Sequence, residues 1–334
     1  MNTSSHILTD RFDRKHTYLR ISLTERCNLR CTYCMPAEGI ALKAKQHLMT
    51  TDEIETIANT FVNHGVSKIR LTGGEPMVRK DFPEVVKRLS RLPIDLHITS
   101  NGVLADKHID LFKETGIKEL TISLDTLCPK KFHTITRRNE FHKVWENIKL
   151  LQDSGIKVKL NIVLVKGFND AEIIDFIALT KHQNITIRFI EFMPFDGNQW
   201  DKSKLVSEQF VLDTATYHYP LQLERLQDAP NDTSRNYKIT NHIGKFSIIS
   251  SVTNPFCDTC NRLRLTADGH LKNCLFSSTE VDLLTPLRAN KSIDPIIEKA
   301  VLAKMKIRSG MDTLEKLKNH EAHGKNRSMI TIGG

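Results

Sequence analysis

From residue 18 to about 192 the chain alternates short runs rich in Ile, Val and Leu with amphipathic stretches at helical spacing. The runs predict strands over 18–24, 67–72, 95–100, 117–124, 156–164 and 185–192. The spacing predicts helices near 51–64, 82–92, 105–115, 140–154 and 170–182. The first of these opens Thr50-Thr51-Asp52-Glu53, a threonine cap followed by an acidic first turn that suits the helix dipole. Strands alternating with helices imply parallel pairing through right-handed crossovers. Six units are too few to close an eight-stranded barrel, which leaves an open doubly wound sheet or a partial barrel.

Side-chain alternation decides between them. Arg20 faces the way Ser22 and Thr24 do, Lys68, Arg70 and Thr72 share a face, and so do Thr121, Ser123 and Asp125. Lys159 pairs with Asn161 in the same way, and Arg188 lies between Ile187 and Phe189. A parallel sheet covered by helices on both faces reads as nearly continuous apolar residues, whereas one face here is polar in nearly every strand. The expected fold class is therefore α/β, a partial six-unit TIM-type barrel with helices on the outside and a polar lumen. Like charges at close range in a protein repel by roughly 4 kcal/mol. Arg20, Arg70, Lys159 and Arg188 in one lumen thus call for a polyanion, and a triphosphate matches their donors.

A loop-rich segment, about 194–203, ends the repeat. A helix near 204–214, hairpin strands and a late helical stretch follow, giving an expected division into a core of 11–225 and a C-terminal module of 226–334. The net charge of +9 is spread along the chain without a Lys/Arg block, so neither a nucleic-acid arm nor a membrane partner is expected. No apolar run approaches the eighteen or so residues of a membrane span, and the N-terminus lacks a signal-like apolar stretch, so a cytoplasmic location is expected.

Six of the seven cysteines form two groups of three, which points to metal ligation rather than disulfides; Cys128 stands alone as a plain structural thiol. Cys27, Cys31 and Cys34 have spacing C-x3-C-x2-C on the loop leaving the first strand. Three thiolates on a four-iron cube leave one iron open for chemistry. Gly73-Gly74-Glu75-Pro76 follows the second strand, at the barrel end where active sites form. This cysteine spacing, with Tyr33 before the last cysteine, resembles the radical S-adenosylmethionine superfamily. The resemblance implies a 4Fe–4S cluster chelating S-adenosylmethionine, with Tyr33, Gly74, Ser123 and Met193 contacting that cofactor.

Cys257, Cys260 and Cys274 give C-x2-C-x13-C, and Asp268-Gly269 is a hairpin signal that folds Cys274 back towards Cys260. Taken alone, this set with His270 favours zinc. Arg262 and Arg264, sharing a strand face beside it, suit an anionic substrate. The run Cys-Asn-Arg-Leu-Arg-Leu from Cys260, the run 187–193, Cys34-Met35-Pro36 and the terminal Gly333-Gly334 resemble the GTP 3′,8-cyclase family of molybdenum-cofactor biosynthesis. That resemblance implies a second 4Fe–4S cluster and GTP bound by Arg20, Arg70, Ser100, Lys159, Arg262, Leu263 and Arg264, with Arg20, Arg262 and Arg264 catalytic. It implies a Gly-Gly tail entering the active site, and hydrogen abstraction from the ribose 3′ carbon followed by bonding to guanine C8. It further implies a flavodoxin-like or ferredoxin-like electron donor, a downstream cyclic pyranopterin monophosphate synthase and a homodimer. A peptide-modifying enzyme of the same superfamily, with an auxiliary cluster, is the alternative.

Overall fold

A computed structural model of the chain describes residues 7–195, 198, 200–318 and 326–333. The six expected strands form as β1 (Tyr18–Ser22), β2 (Lys68–Thr72), β3 (Asp95–Ser100), β4 (Glu119–Ser123), β5 (Lys157–Leu164) and β6 (Ile185–Glu191), all parallel and in sequence order. The sheet does not close. It runs on at both edges, so the partial barrel is what forms. On the outer face Leu19, Ile21, Ile69, Leu71, Ile98, Leu120, Val158, Leu160 and Ile187 are fully buried against the helices. Among those helices, α1 (Thr51–Asn63) turns Ile54, Ile57 and Phe61 inward. Its start is the expected one: the Thr50 hydroxyl accepts from the Glu53 amide at 3.2 Å, and the Glu53 carboxylate accepts from the Thr50 amide at 2.7 Å.

Helices α2 (Phe82–Leu89), α3 (Ile109–Glu114), α5 (Phe141–Asp153) and α6 (Ile173–Leu179) occupy their expected places. One helix was not expected. After β4, α4 (Pro129–Thr136) starts on a proline at its first position and ends at Arg137, whose φ is +56°. Its last turn holds the first cysteine loop: the Arg30 amide donates to the Thr136 carbonyl and the Thr32 amide to the Ile135 carbonyl, both at 2.9 Å. The later helix α7 (Glu208–His218) begins four residues beyond the expected start, where the Ser207 hydroxyl caps the Phe210 amide at 3.2 Å.

Residues beyond 220 join the same sheet at both ends. On one side β9 (Lys245–Ile249) pairs parallel with β6, followed outward by β8 (Arg235–Ile239) and β7 (Leu223–Arg225). On the other, β10 (Arg262–Leu265) pairs parallel with β1, Arg262 opposite Tyr18 and Arg264 opposite Arg20. The 266–269 turn then closes the expected hairpin onto β11 (His270–Lys272), and β12 (Val281–Asp282) forms that edge. No helix among the described residues is long and apolar enough to cross a membrane.

Candidate active site

Register brings the basic side chains together. Arg264, Arg20, Arg70 and His97 lie in one row across β10, β1, β2 and β3, and Asn161, Arg188 and Ser247 in another across β5, β6 and β9. Arg70 is buried and donates to the Tyr18 phenol at 2.6 Å, the Thr99 hydroxyl at 3.0 Å and the Thr121 hydroxyl at 2.8 Å. Lys159 reaches Glu119 at 2.7 Å. Burial and the neighbouring Arg70 bring Arg188 down to about 10; burial and Arg262 do the same to Arg264. Lys159 is lowered as well, by burial and then Arg188. Burial would raise the Tyr18 phenol, but Arg70, Arg20 and Lys68 outweigh it and hold it at about 7. Arg70 acts on Arg20, Lys159 and Arg188 alike, and Glu119 is the carboxylate that faces Lys159 and Arg70. The Arg188 Nε, the Ser22 hydroxyl and the Asn161 carbonyl oxygen are buried without hydrogen-bond partners among the described residues. Such a surface is complementary to a polyanionic, hydrogen-bonding ligand.

His97 lies in the same lumen, 3.8 Å from Glu119, and burial followed by Arg70 and Lys68 lowers it to about 3. Its folded-state value therefore lies below the ordinary 6.5. The unfolded chain accepts a proton that the folded chain refuses, and stability is lost as pH falls from 6.5 towards 3. The slope is at most about 1.4 kcal/mol per pH unit. His97→Gln is expected to flatten it, as seen in denaturant midpoints at pH 6.5 and 5.5; equal slopes in both proteins would contradict this.

At the mouth of the lumen Cys27, Cys31, Cys34, Tyr33, Gly74, Ser123 and Met193 line one cavity of about 180 Å³. Every residue expected to contact the cofactor is there. Tyr33 donates to the Asp125 carboxylate at 2.6 Å, and the Val163 amide donates to the other oxygen at 2.8 Å; burial still lifts Asp125 to about 6. Gly74 lies so close to the first loop that a β-carbon would meet the Arg26 carbonyl oxygen at 2.4 Å. The adjoining Glu75, raised to about 7 by burial, accepts from the Asn101 amide, the Met77 amide and the Ser100 hydroxyl. The Cys27 sulfur accepts from the Leu29 amide at 3.4 Å and the Asn101 side-chain amide at 3.7 Å. Three converging thiols with neutral donors and a glycine-lined approach fit a three-thiolate cluster with a ligand on its open iron.

Ser100 does not face the basic lumen. Its hydroxyl donates to Glu75 at 2.9 Å, and its register partner is Ile122. Thr99, opposite Thr121, is the hydroxyl on the lumen side, because parity along β3 puts position 99 with Arg70. Leu263 is likewise on the core face of β10, buried beside Leu19, so its side chain does not enter the lumen.

The second triad converges next to β10. Cys257, Cys260 and Cys274 act on one another electrostatically, and Cys274 packs on the same apolar cluster as Tyr33 and Met193. Burial would raise Cys260, but Arg262 and Lys304 bring it to about 6. Arg262 stacks its guanidinium 4.5 Å from the Phe256 ring centroid. The charges acting on His270 are Asp268, Glu280 and Arg327 rather than the cysteines. Around this triad no local pattern marks Arg14, which donates to the Cys257 carbonyl at 2.7 Å, or Lys304; both lie far from the cysteines in the chain.

The tail enters this space. Arg264 donates to the Gly333 carbonyl at 2.6 Å, and Met329 and Ile330 line the cavity of the first triad. Gly333 has φ +84°, and a β-carbon there would stand 2.3 Å from the Thr72 hydroxyl. Arg327 holds the segment down by a two-pronged pair with Asp268, both contacts at 2.9 Å. Gly334 lies outside the described residues.

Residues 21–180 match the radical SAM superfamily, and residues 185–311 match Molybdenum Cofactor Synthesis C. The chain is 48% identical to the mitochondrial GTP 3′,8-cyclase of Arabidopsis thaliana, covering all of this chain and 85% of that one. It is 42% identical to GTP 3′,8-cyclase of Peptoclostridium acidaminophilum, covering 98% of each. It is also 47% identical to molybdenum cofactor biosynthesis protein 1 of Mus musculus, of which it spans about half, 51%. Among solved structures, Streptococcus suis SuiB bound to S-adenosylmethionine shares the fold at 16% identity with a TM-score of 0.61, covering 84% of this chain and 65% of that one.

Proposed function

Because the chain belongs to the radical S-adenosylmethionine superfamily and, within it, to the GTP 3′,8-cyclase family, we propose that it converts GTP into (8S)-3′,8-cyclo-7,8-dihydroguanosine 5′-triphosphate, the first step of molybdopterin biosynthesis. The observation that supports this most directly is the cationic lumen of Arg20, Arg70, Lys159, Arg188 and Arg264 lying alongside two cysteine triads. Cys27, Cys31 and Cys34 would hold one 4Fe–4S cluster, and Cys257, Cys260 and Cys274 the other. With S-adenosylmethionine, such a cluster supplies one-electron chemistry that abstracts a hydrogen atom from an unactivated carbon.

The protein's own residues supply position. Arg70, Lys159 and Arg188 neutralise the phosphates, and Thr99 and Thr121 orient Arg70. Arg20 and Arg264, opposite one another in the sheet, and Arg262, two residues from Cys260, would hold the nucleoside in line with the cofactor. Tyr33 and Asp125, locked together, wall the cofactor side, and the tail residues Met329 and Ile330 exclude water. A flavodoxin-like or ferredoxin-like donor, a cyclic pyranopterin monophosphate synthase acting on the product, a cytoplasmic location and a homodimer complete this reading. The likeness to SuiB shows a shared fold; the alternative of peptide modification lacks the cationic lumen's rationale.

Anaerobically purified and reconstituted protein is expected to carry about eight irons and eight sulfides per chain, by ligand count. With GTP, S-adenosylmethionine and a strong reductant it should release the cyclised nucleotide, identified by mass. Stoichiometric zinc at the second triad, or full iron without that nucleotide, would overturn the proposal.

A further inference from the structure

The sulfurs of the two triads receive different donors. Cys27 accepts from a backbone amide and an asparagine amide, both neutral. Cys260 is met by an ammonium: Lys304, at the end of the segment following α9 (Asp294–Leu302), is 2% exposed, with its Nζ 3.5 Å from the Cys260 sulfur and 2.8 Å from the Arg262 carbonyl oxygen. Burial lowers this ammonium, the sulfurs of Cys260 and Cys274 attract it, and Arg262 and Arg14 oppose it. A buried cation is tolerated where a counter-charge compensates its lost hydration, and here that counter-charge is thiolate. The same Lys304 ties the sulfur to the backbone of β10, the strand that presents Arg262 and Arg264.

We propose that Lys304 is a positioning residue for the C-terminal cluster: its charged N–H on the Cys260 sulfur raises that cluster's reduction potential and fixes it to the strand that presents the substrate-facing arginines. The inference rests on the reading above that Cys257, Cys260 and Cys274 hold an iron–sulfur cluster. A cation beside a ligating sulfur stabilises the reduced, more negative form over the oxidised one. Arg262, whose Nη2 lies 3.7 Å from the same sulfur, adds to the effect at longer range.

The test is a redox titration, followed by electron paramagnetic resonance, of the full-length reconstituted protein and its Lys304→Met and Lys304→Arg variants, each with iron and zinc content measured. Lys304→Met should keep its iron and move one of the two cluster signals to lower potential. Its reduced-to-oxidised ratio at fixed potential should fall about tenfold, which is about 59 mV for a one-electron couple. Lys304→Arg should stay near the parent. An iron-replete Lys304→Met protein with both parental potentials would overturn the inference. If Lys304→Met loses iron, Lys304→Gln, which keeps a donor without the charge, decides it: a fall in potential supports the inference, and the parental value overturns it. Zinc at the second triad of the parent protein would overturn the cluster reading and this inference together, whereas failure to cyclise GTP leaves the potential comparison standing.

Discussion

Arg264→Ala is expected to lower formation of the cyclised nucleotide by at least about a hundredfold, some 2.7 kcal/mol at the transition state, while leaving iron content unchanged. Arg264 stands at the centre of the site. It is opposite Arg20 in the sheet, buried, and makes the tail contact at Gly333. Its removal deletes a cation from the lumen and the contact that anchors the tail. Arg262→Ala should act in the same direction through the nucleoside and the Cys260 sulfur, since Arg262 stacks on Phe256, lies 3.7 Å from that sulfur and makes no tail contact among the described residues. Neither residue is a cysteine or belongs to the apolar core, so both variants should fold and load. Iron-replete variants that both cyclise GTP at the parental rate would remove these arginines from the reaction.

Gly333→Val carries the second large effect. The residue combines a left-handed φ of +84° with a backbone approach that leaves no room for a β-carbon beside Thr72 and Ser22. Neither neighbour can yield, because both belong to central parallel strands. Valine therefore cannot seat, and the last turn, Met329–Ile332, is expected to leave the cavity although Arg327 still holds Asp268. Turnover should drop at least tenfold, about 1.4 kcal/mol, with both clusters intact. Carboxypeptidase should trim the variant's tail faster than the parent's. Parental turnover together with parental trimming would show that the tail does not wall the site.

Much of this was legible from alternation and spacing. The six strands, their parallel order and the polar inner face follow from period-two patterning, since every lumen-facing charge sits two residues from another polar residue. The cysteine triads follow from local spacing, as does the hairpin at 266–269. What escaped shows the limits of one-dimensional reading. Ser100 and Thr99 are adjacent hydroxyls, and a one-residue difference in parity sends one to Glu75 and the other to Arg70. The helix α4 is short and ends in three β-branched residues, and its purpose, bracing the first cysteine loop, is visible only once the chain is folded. Arg14, Lys304 and Arg327 act on groups tens to hundreds of residues away, so no local pattern marks them. The strands β9 and β10 read as belonging to a following module, whereas hydrogen bonding makes them the outer neighbours of β6 and β1.

That last pairing has a consequence for how the enzyme tolerates change. Because β10 lies in register with β1, a single ladder of amide hydrogen bonds sets the offset between the strand that leads into one metal loop and the strand that leaves the other. Inserting or deleting one residue within 261–265 would rotate both lumen-facing arginines into the hydrocarbon layer and push two leucines into the lumen. Evolution can therefore lengthen the loop before this strand or the turn after it, but the strand itself has to be inherited as a block.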